Sequence, residues 1–115
     1  MPKDDLLYFG HMLDAARGAR AAIKGVSREA FDADENLRLA EAHRIQIIGA
    51  AARHVSPAGR AAHPEIPWHQ ITGMRHRHVH DYMNVAYSVV WEVVTHDLPR
   101  LIAALGAFVR EPELG

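Results

Sequence analysis

Cysteine is absent from the 115-residue sequence. Its absence excludes a disulfide scaffold and a zinc site built from thiolates. Neither is needed, because a chain of this length can bury roughly 65% of its unfolded surface. We therefore predict a single domain covering residues 1–115.

Long apolar runs are also absent, since no stretch approaches the ~20 residues that span a bilayer. The first residues include Asp4 and Asp5 and lack the basic, apolar and small-residue zones of a signal peptide. The net charge is −1 with histidines neutral, so no global field attracts nucleic acid. We expect a soluble, cytoplasmic protein with no membrane partner, in which any contact with RNA depends on local charge.

Apolar residues recur at three- and four-residue steps, and no alternating strand pattern of useful length occurs. Long helices are predicted over residues 6–23, from about residue 34 to 54 or 55, and from residue 87 to about 110. Pro99 should kink or restart the last helix, with Thr95 or Asp97 as a local cap. The stripe of the first helix consists of Leu6, Phe9, Leu13, Ala16 and Ile23. The pattern predicts an all-α bundle of four to five helices.

Turn signals separate these helices. Gly25 is a C-terminal stop for the first helix, and Ser27 is a candidate N-cap for a short turn of helix after it. The run SPAGRAAHPEIP, residues 56–67, breaks the second long helix. Pro67 can begin the next helix, because a missing N–H is harmless in a first turn.

The stretch GMRHRHVHDYMN, residues 73–84, concentrates groups that can carry chemistry. Its candidate side chains are Arg75, His76, Arg77, His78, His80 and Tyr82. The residues alone leave three interpretations open: a metal site, a solvated helix face, or a site that cleaves a phosphodiester. His76 and His80 lie about 40° apart on a helix and could share a metal ion, but no third ligand in an H-E-x-x-H arrangement is present. We therefore predict neither a bound metal nor a cofactor.

Each residue taken singly fits a solvated face, since histidine, arginine and aspartate are ordinary surface residues. The combination of Arg75, His80 and Tyr82 favours phosphodiester cleavage without metal. RNA supplies its own nucleophile, the 2′-hydroxyl. Imidazole can move protons near neutral pH, which is worth ~10²–10⁴-fold in rate, and guanidinium pairs bidentately with phosphate oxygens.

Arg75 and His80 are five residues apart, about 140° around an ideal helix, so they do not share one face. Either the long arginine reaches round the helix or a second copy of the chain completes the site. We favour two copies, because the alanine-rich second long helix and the large aromatic Trp68 are suited to helix–helix contact.

The pattern Arg75-x4-His80-x-Tyr82 resembles the R-x4-H-x-Y signature of the HepT-like toxins, a branch of the HEPN superfamily of small helical ribonucleases. Three longer stretches resemble the family in order and spacing: RIQIIGAAARHV, HPEIPWHQITGMRHRHVHDY and VVWEVVTHDLPRLIAAL. Together they cover most of the chain from about residue 37 to 109. A lone R-x4-H pattern would be weak evidence, whereas this set is specific.

The resemblance implies a HEPN helical bundle that forms a homodimer and cleaves RNA without metal, as the toxin of a type VII-like toxin–antitoxin system. It implies that His80 is the catalytic imidazole and that Arg75 holds or activates the scissile phosphate. A minimal nucleotidyltransferase antitoxin would neutralise the protein by transferring AMP to Tyr82. The adduct would place anionic bulk beside the RNA-binding cleft and block the substrate.

The sequence departs from the family pattern at three positions. His76 replaces an asparagine that often follows the motif arginine, Ala50 replaces glutamate in I-G-E-A, and Gln46 stands where an acidic residue is common. If the missing carboxylate orients Arg75 or His80, its loss would loosen the site. The four-residue spacing between His76 and His80 leads us to hypothesise that His76 is an auxiliary proton-transfer group.

Arg77 and His78 are candidates for contacts to the RNA backbone outside the catalytic pair. The departures also support an alternative function, a non-catalytic HEPN binding partner of a nucleotidyltransferase. A metal-binding helical dimer is a third and weaker interpretation.

Overall fold

A computed structural model describes residues 3–72 and 87–109 of the chain. The helices are α1 (Lys3–Ala22), α2 (Arg28–Ala33), α3 (Glu35–His54), α4 (Pro57–Ala62), α5 (residues 68–72), α6 (Tyr87–Glu92) and α7 (Leu98–Gly106). A π-helical turn, Val93–Asp97, joins α6 to α7. The described residues contain no β-strand, which confirms the all-α prediction. None of their helices has both the length and the apolar character that crossing a membrane requires.

The two longest helices, α1 and α3, pack against each other in antiparallel directions. Asp5 near the start of α1 contacts Ser56 just after α3, whereas Gly18 near the end of α1 lies beside Arg44 of α3. Burying one large apolar side chain contributes about 1.5–3 kcal/mol, and this core holds many. Its largest fully buried apolar residues are Phe9, Met12, Leu13, Phe31, Ile45, Ile48, Ile66, Val90, Val94, Leu98 and Leu105.

The predicted stripe of α1 is correct except at Leu6, whose side chain is 54% exposed. The buried face runs instead through Asp5, Phe9, Met12 and Ala16, at steps of four, three and four residues. Leu6 lies to one side of this line, so the helix turns it towards solvent. The hydrophobic spacing alone did not indicate that a carboxylate occupies the first buried position.

Asp5 is buried because Ser56 satisfies both of its oxygens. The Ser56 backbone N–H donates to Oδ1 at 2.8 Å, and the Ser56 hydroxyl donates to Oδ2 at 2.6 Å. The hydroxyl bond is the main reason that the pKa of Asp5 lies below its ordinary value, and the backbone bond acts in the same direction. This carboxylate therefore fastens the start of α1 to the chain between α3 and α4.

Ser56 is also the N-cap of α4, a short helix within the segment that the sequence predicts only as a break. Its Oγ accepts a hydrogen bond from the Gly59 N–H at 3.0 Å, and Pro57 occupies the first turn. Gly59 leaves room for the contact between Asp5 and Ser56, because a Cβ at position 59 would meet the Asp5 carboxylate and lie 2.9 Å from Val55 Cγ1. The S-P-x-G sequence thus begins a helix where prolines alone indicated a loop.

The predicted turn signals near α2 are confirmed. Ser27 Oγ accepts from the Ala30 N–H at 3.1 Å, and Asp34 Oδ1 accepts from the Leu37 N–H at 3.0 Å, so both side chains cap helix N-termini. Gly25 follows α1 with a φ of 75°, a conformation that glycine adopts without steric cost. These three residues fix the tight connections α1–α2 and α2–α3.

Pro99 produces a π turn rather than a simple kink. Proline has no N–H and its ring crowds the preceding turn. The Leu98 N–H bonds to the Val93 carbonyl, five residues back, which leaves the Val94 carbonyl without a backbone donor from Pro99. The Arg20 side chain of α1 donates a hydrogen bond to this carbonyl instead, with Nη1 3.3 Å from the Val94 oxygen. A side chain of α1 thus stabilises the irregular turn.

The expectation that Thr95 or Asp97 caps this restart is wrong. Asp97 occupies the position before α7, but its side chain makes no capping hydrogen bond. The Thr95 hydroxyl donates instead to the Trp91 carbonyl at 2.7 Å. No cap is required, because the chain passes from α6 through the π turn into α7 without leaving helical geometry.

Candidate active site

The six candidate residues of the sequence lie between α5 and α6, outside the residues that the structure describes: Arg75, His76, Arg77, His78, His80 and Tyr82. We call residues 73–86 the motif segment. The roles of its side chains and their convergence are therefore still predictions. The described chain does establish what holds the two ends of this segment.

The N-terminal side of the motif segment is fastened by an aromatic cluster around His63. The Trp68 Nε1–H donates to the His63 carbonyl at 3.1 Å, and the Trp68 ring lies 5.8 Å from the ring of Phe9. The His63 ring stacks on Phe108 with a centroid separation of 3.6 Å. The chain before the motif segment is thus attached both to α1 and to the end of the last helix.

Helix α5 continues this attachment up to residue 72. Ile71 is buried, and its N–H bonds to the Pro67 carbonyl at 3.1 Å, as expected for a proline in a first turn. The Thr72 hydroxyl donates to the Trp68 carbonyl at 3.1 Å. Trp68 therefore packs within its own chain, and its contact with a second copy stays a prediction.

The C-terminal side of the motif segment is fastened by Arg38 of α3. The Arg38 guanidinium lies over the ring of Tyr87, 4.7 Å from its centroid, and Nη1 also donates to the Asp32 carbonyl at the end of α2. One turn later, Trp91 packs against Phe31 with ring centroids 5.1 Å apart. Both ends of the motif segment are therefore anchored to the core by aromatic contacts.

Helix α3 lacks the acidic residues that the family pattern often has at positions 46 and 50, but it buries another carboxylate. Gln46 and Ala50, at the two departing positions, are partly exposed. Glu41, one turn before Ile45, is completely buried, and its Oε1 accepts a hydrogen bond from Arg44 Nη1 at 2.7 Å. Within the described structure its second oxygen, Oε2, has no hydrogen-bond partner.

Burial raises the pKa of Glu41, and the hydrogen bond and charge of Arg44 offset only part of this effect. A buried carboxyl with a raised pKa and a free oxygen is a candidate functional group. The sequence contained a signal for it, since Glu41, Ile45, Ile48 and Ala52 follow one another at buried helical spacing. A search for apolar spacing alone finds only the isoleucines and the alanine of that series.

The described residues include no cluster of three or more histidine, aspartate or glutamate side chains that could hold a metal ion. His43 and His54 of α3 are exposed. The His54 ring stacks on Tyr8 of α1 with centroids 5.0 Å apart. These histidines therefore contribute surface and packing contacts to the α1–α3 pair.

A family model described as ribonuclease HepT-like matches residues 12–108, which include the whole motif segment. The chain belongs to the HepT-like ribonuclease family. The matched residues include Arg38, His63, Trp68 and Phe108 of the two anchors, whereas Phe9 lies just before them. Membership supports a ribonuclease function, and it confirms the resemblance on which the sequence interpretation rests.

Individual relatives agree with this assignment. The chain is 33% identical over 94 residues to a protein of Caldanaerobacter subterraneus subsp. tengcongensis that is provisionally named as an RNase, covering 82% of this chain and 84% of the relative. It is 34% identical over 73 residues to a provisionally named ribonuclease HepT of Thermococcus cleftensis. That alignment covers 64% of this chain and 66% of the relative. A Methanocaldococcus jannaschii protein, also provisionally named as an RNase, is 28% identical over 102 residues. That alignment covers 88% of this chain and 94% of the relative. No solved structure matches the chain significantly.

Proposed function

We propose that this HepT-like protein is a metal-independent endoribonuclease and the toxin of a type VII-like toxin–antitoxin system. In this proposal Arg75 and His80 cleave RNA, and a minimal nucleotidyltransferase antitoxin inactivates the protein by transferring AMP to Tyr82. The observation that carries the proposal is the ribonuclease family match over residues 12–108, which includes the R-x4-H-x-Y pattern.

The proposed reaction uses the 2′-hydroxyl of RNA as the nucleophile. A general base removes its proton, the 2′-oxygen bonds to phosphorus, and the bond from phosphorus to the 5′-oxygen breaks. The leaving oxygen takes a proton from a general acid, and the products are a 2′,3′-cyclic phosphate and a 5′-hydroxyl. His80 is assigned to one proton transfer and His76 to the other, while Arg75 stabilises the charge on the phosphate oxygens.

A homodimer would bring the motif segments of two copies to one cleft. The described surface supports this arrangement, because α3 exposes two large apolar side chains on one side. Leu39 is 51% exposed and Ile47 is 38% exposed, with His43 halfway between them at four-residue spacing. Apolar side chains aligned on an exposed helix face are suited to contact with another protein surface.

The direct test compares RNA cleavage by the wild type, Arg75→Ala and His80→Ala with a chelator present. Matched controls are Arg53→Ala in α3 and His11→Ala in α1, which remove the same types of side chain from exposed positions outside the motif segment. We expect each motif substitution to lower cleavage by at least about 10²-fold and the controls to leave it unchanged. Cleavage that disappears with the chelator would contradict metal independence.

His76→Asn separates the auxiliary proton-transfer hypothesis from the catalytic pair. Asparagine is the residue that the family often has there, so the variant keeps a polar side chain but cannot exchange a proton near neutral pH. We expect reduced cleavage with an altered pH profile. Unchanged activity across the pH range would show that His76 transfers no proton.

The antitoxin relationship is tested by intact mass after co-expression with a minimal nucleotidyltransferase. Mass additions in AMP-sized steps on the wild type, absent from Tyr82→Phe but present on Tyr87→Phe, would support it. Modification without any RNA cleavage by the unmodified protein would instead support the alternative, a non-catalytic HEPN partner of the nucleotidyltransferase.

A further inference from the structure

A groove of about 280 Å³ lies between α5 with the residues before it and the junction of the π turn with α7. Its apolar floor is formed by Ile71, Leu98 and Leu101, each less than 5% exposed. Polar side chains at its edge are Gln70, Asp97 and Arg100. An apolar groove with a few convergent polar groups is the usual form of a small-ligand site.

The polar groups at this groove make few contacts with the rest of the described structure. Asp97 stands at the start of α7 without making a capping bond. Within the described part of the chain, Gln70, Asp97 and Arg100 make no side-chain hydrogen bond or ion pair. Glu65, the other carboxylate at the groove, differs in this respect, because its Oε1 lies 3.3 Å from His63 Nδ1. Three uncommitted polar side chains therefore surround an apolar floor.

The charges indicate what kind of group fits. Two carboxylates at the groove disfavour an anionic group such as phosphate, so a neutral or cationic group fits better. Its volume lies just below the ~300–1,000 Å³ of pockets for drug-sized ligands, which suits a single planar ring system such as a nucleobase. The exposed Arg100 can contact the phosphate attached to that nucleotide.

The carboxylate also selects among the bases. An ionised aspartate only accepts hydrogen bonds, and its two oxygens can accept from two adjacent donors. Guanine is the RNA base that presents two adjacent donors on one edge, N1–H and the exocyclic amino group. Unstacked bases in single-stranded RNA are available for such contacts along their edges.

We propose that this groove is a guanine subsite for single-stranded RNA, in which Asp97 accepts from the Watson–Crick edge of the base. The inference rests on the proposed ribonuclease function, and it names a substrate feature that the catalytic residues do not determine. Gln70 precedes Arg75 by five residues, so their Cα atoms are at most ~18 Å apart whatever the intervening conformation. The subsite would therefore hold a nucleotide near the cleaved bond.

The test measures equilibrium binding of short uridine-rich oligonucleotides with 2′-O-methyl riboses, which lack the nucleophile and cannot be cleaved. Each contains one guanine, inosine or adenine at a central position. Inosine lacks the exocyclic amino group and therefore loses one of the two proposed hydrogen bonds. We expect the full-length wild-type protein to bind the guanine oligonucleotide about tenfold more tightly than the inosine one.

In Asp97→Asn the guanine and inosine oligonucleotides should bind with about equal affinity, because the amide presents an N–H donor to the N–H donors of the base. The matched control is Asp14→Asn on the exposed side of α1, which removes the same charge away from the groove. Ala104→Leu, which narrows the groove from its α7 side, should weaken binding of the guanine oligonucleotide without changing any charge.

A wild-type protein that does not distinguish guanine from inosine would overturn the proposal. A guanine preference that persists in Asp97→Asn and Ala104→Leu would do the same. Because the assay contains no cleavable bond, it gives the same answer if the protein proves to be inactive as a nuclease. Cleavage of RNA without any base preference would leave the proposed function standing and remove this subsite.

Discussion

At the residue scale, the two carboxylates that are buried in the described part of the chain respond to the fold in opposite ways. Asp5 has a lowered pKa because the Ser56 hydroxyl and backbone N–H stabilise its ionised form. Glu41 has a raised pKa because burial disfavours its charge more than Arg44 compensates. The ionised form of Asp5 thus stabilises the contact between α1 and Ser56, whereas ionisation of Glu41 destabilises the fold.

The stability conferred by Glu41 should therefore depend on pH in a predictable direction. A pKa raised in the folded state stabilises the fold fully below the unfolded value near 4.5, and this contribution is lost as pH rises through the folded pKa. Glu41→Gln has no such titration and keeps an oxygen for Arg44. We expect the free energy of unfolding of Glu41→Gln, relative to wild type, to increase from pH 4.5 to pH 8 in denaturant titrations. A relative decrease would mean that the Arg44 ion pair outweighs the burial.

Gly59 is a second residue whose identity follows from its surroundings. A Cβ at this position would collide with the Asp5 carboxylate and with Val55, so Gly59→Ala should lower the free energy of unfolding by about 1–3 kcal/mol. The control is Gly10→Ala in α1, where a Cβ would meet nothing within 4 Å. That change should instead stabilise the helix by about 0.5–1 kcal/mol. Equal effects of the two substitutions in urea unfolding would refute this explanation.

At the element scale, the sequence was sufficient to predict the helices but not their irregularities. Periodicity located α1 and α3, and the candidate cap Ser27 located α2, because these signals are local. The π turn was not predicted, because Pro99 alone indicates only a kink or restart and the stabilising contact from Arg20 to the Val94 carbonyl comes from another helix. Leu6 was misplaced for a similar reason, because the burial of Asp5 depends on Ser56, fifty-one residues away.

The same distinction applies to the candidate site. Its residue types and their spacing could be read from the sequence, since R-x4-H-x-Y is a local pattern. The anchors on either side could not, because Phe9, Phe108 and Arg38 contact the motif segment's flanks from distant parts of the chain. The groove beside α5 was also unpredicted, because it joins residues about 30 positions apart.

The anchoring role of Trp68 can be measured with two substitutions of graded severity. Trp68→Phe keeps an aromatic ring against Phe9 but removes the donor to the His63 carbonyl, so it should cost about 1 kcal/mol of unfolding free energy. Trp68→Ala also removes the packing and should cost about 3 kcal/mol. If both variants unfold at the same denaturant concentration as wild type, α5 is not held by this contact.

At the scale of the whole molecule, the account depends on a site shared between two copies of the chain. Leu39 and Ile47 supply exposed apolar surface on α3 for such an assembly, and the 140° separation expected for Arg75 and His80 on one helix argues for it. If each site is shared between two copies, two inactive variants that pair in one dimer can restore RNA cleavage. This cannot happen when each site lies within one chain.

The most direct measurement is RNA cleavage by a mixture of Arg75→Ala and His80→Ala that has been unfolded and refolded together. Each mixed dimer would hold one intact site, with Arg75 from one copy and His80 from the other. Random pairing makes half of the dimers mixed, so we predict about one quarter of wild-type activity, against almost none for either variant refolded alone. A refolded mixture no more active than the separate variants, while refolded wild type is fully active, would contradict the shared site.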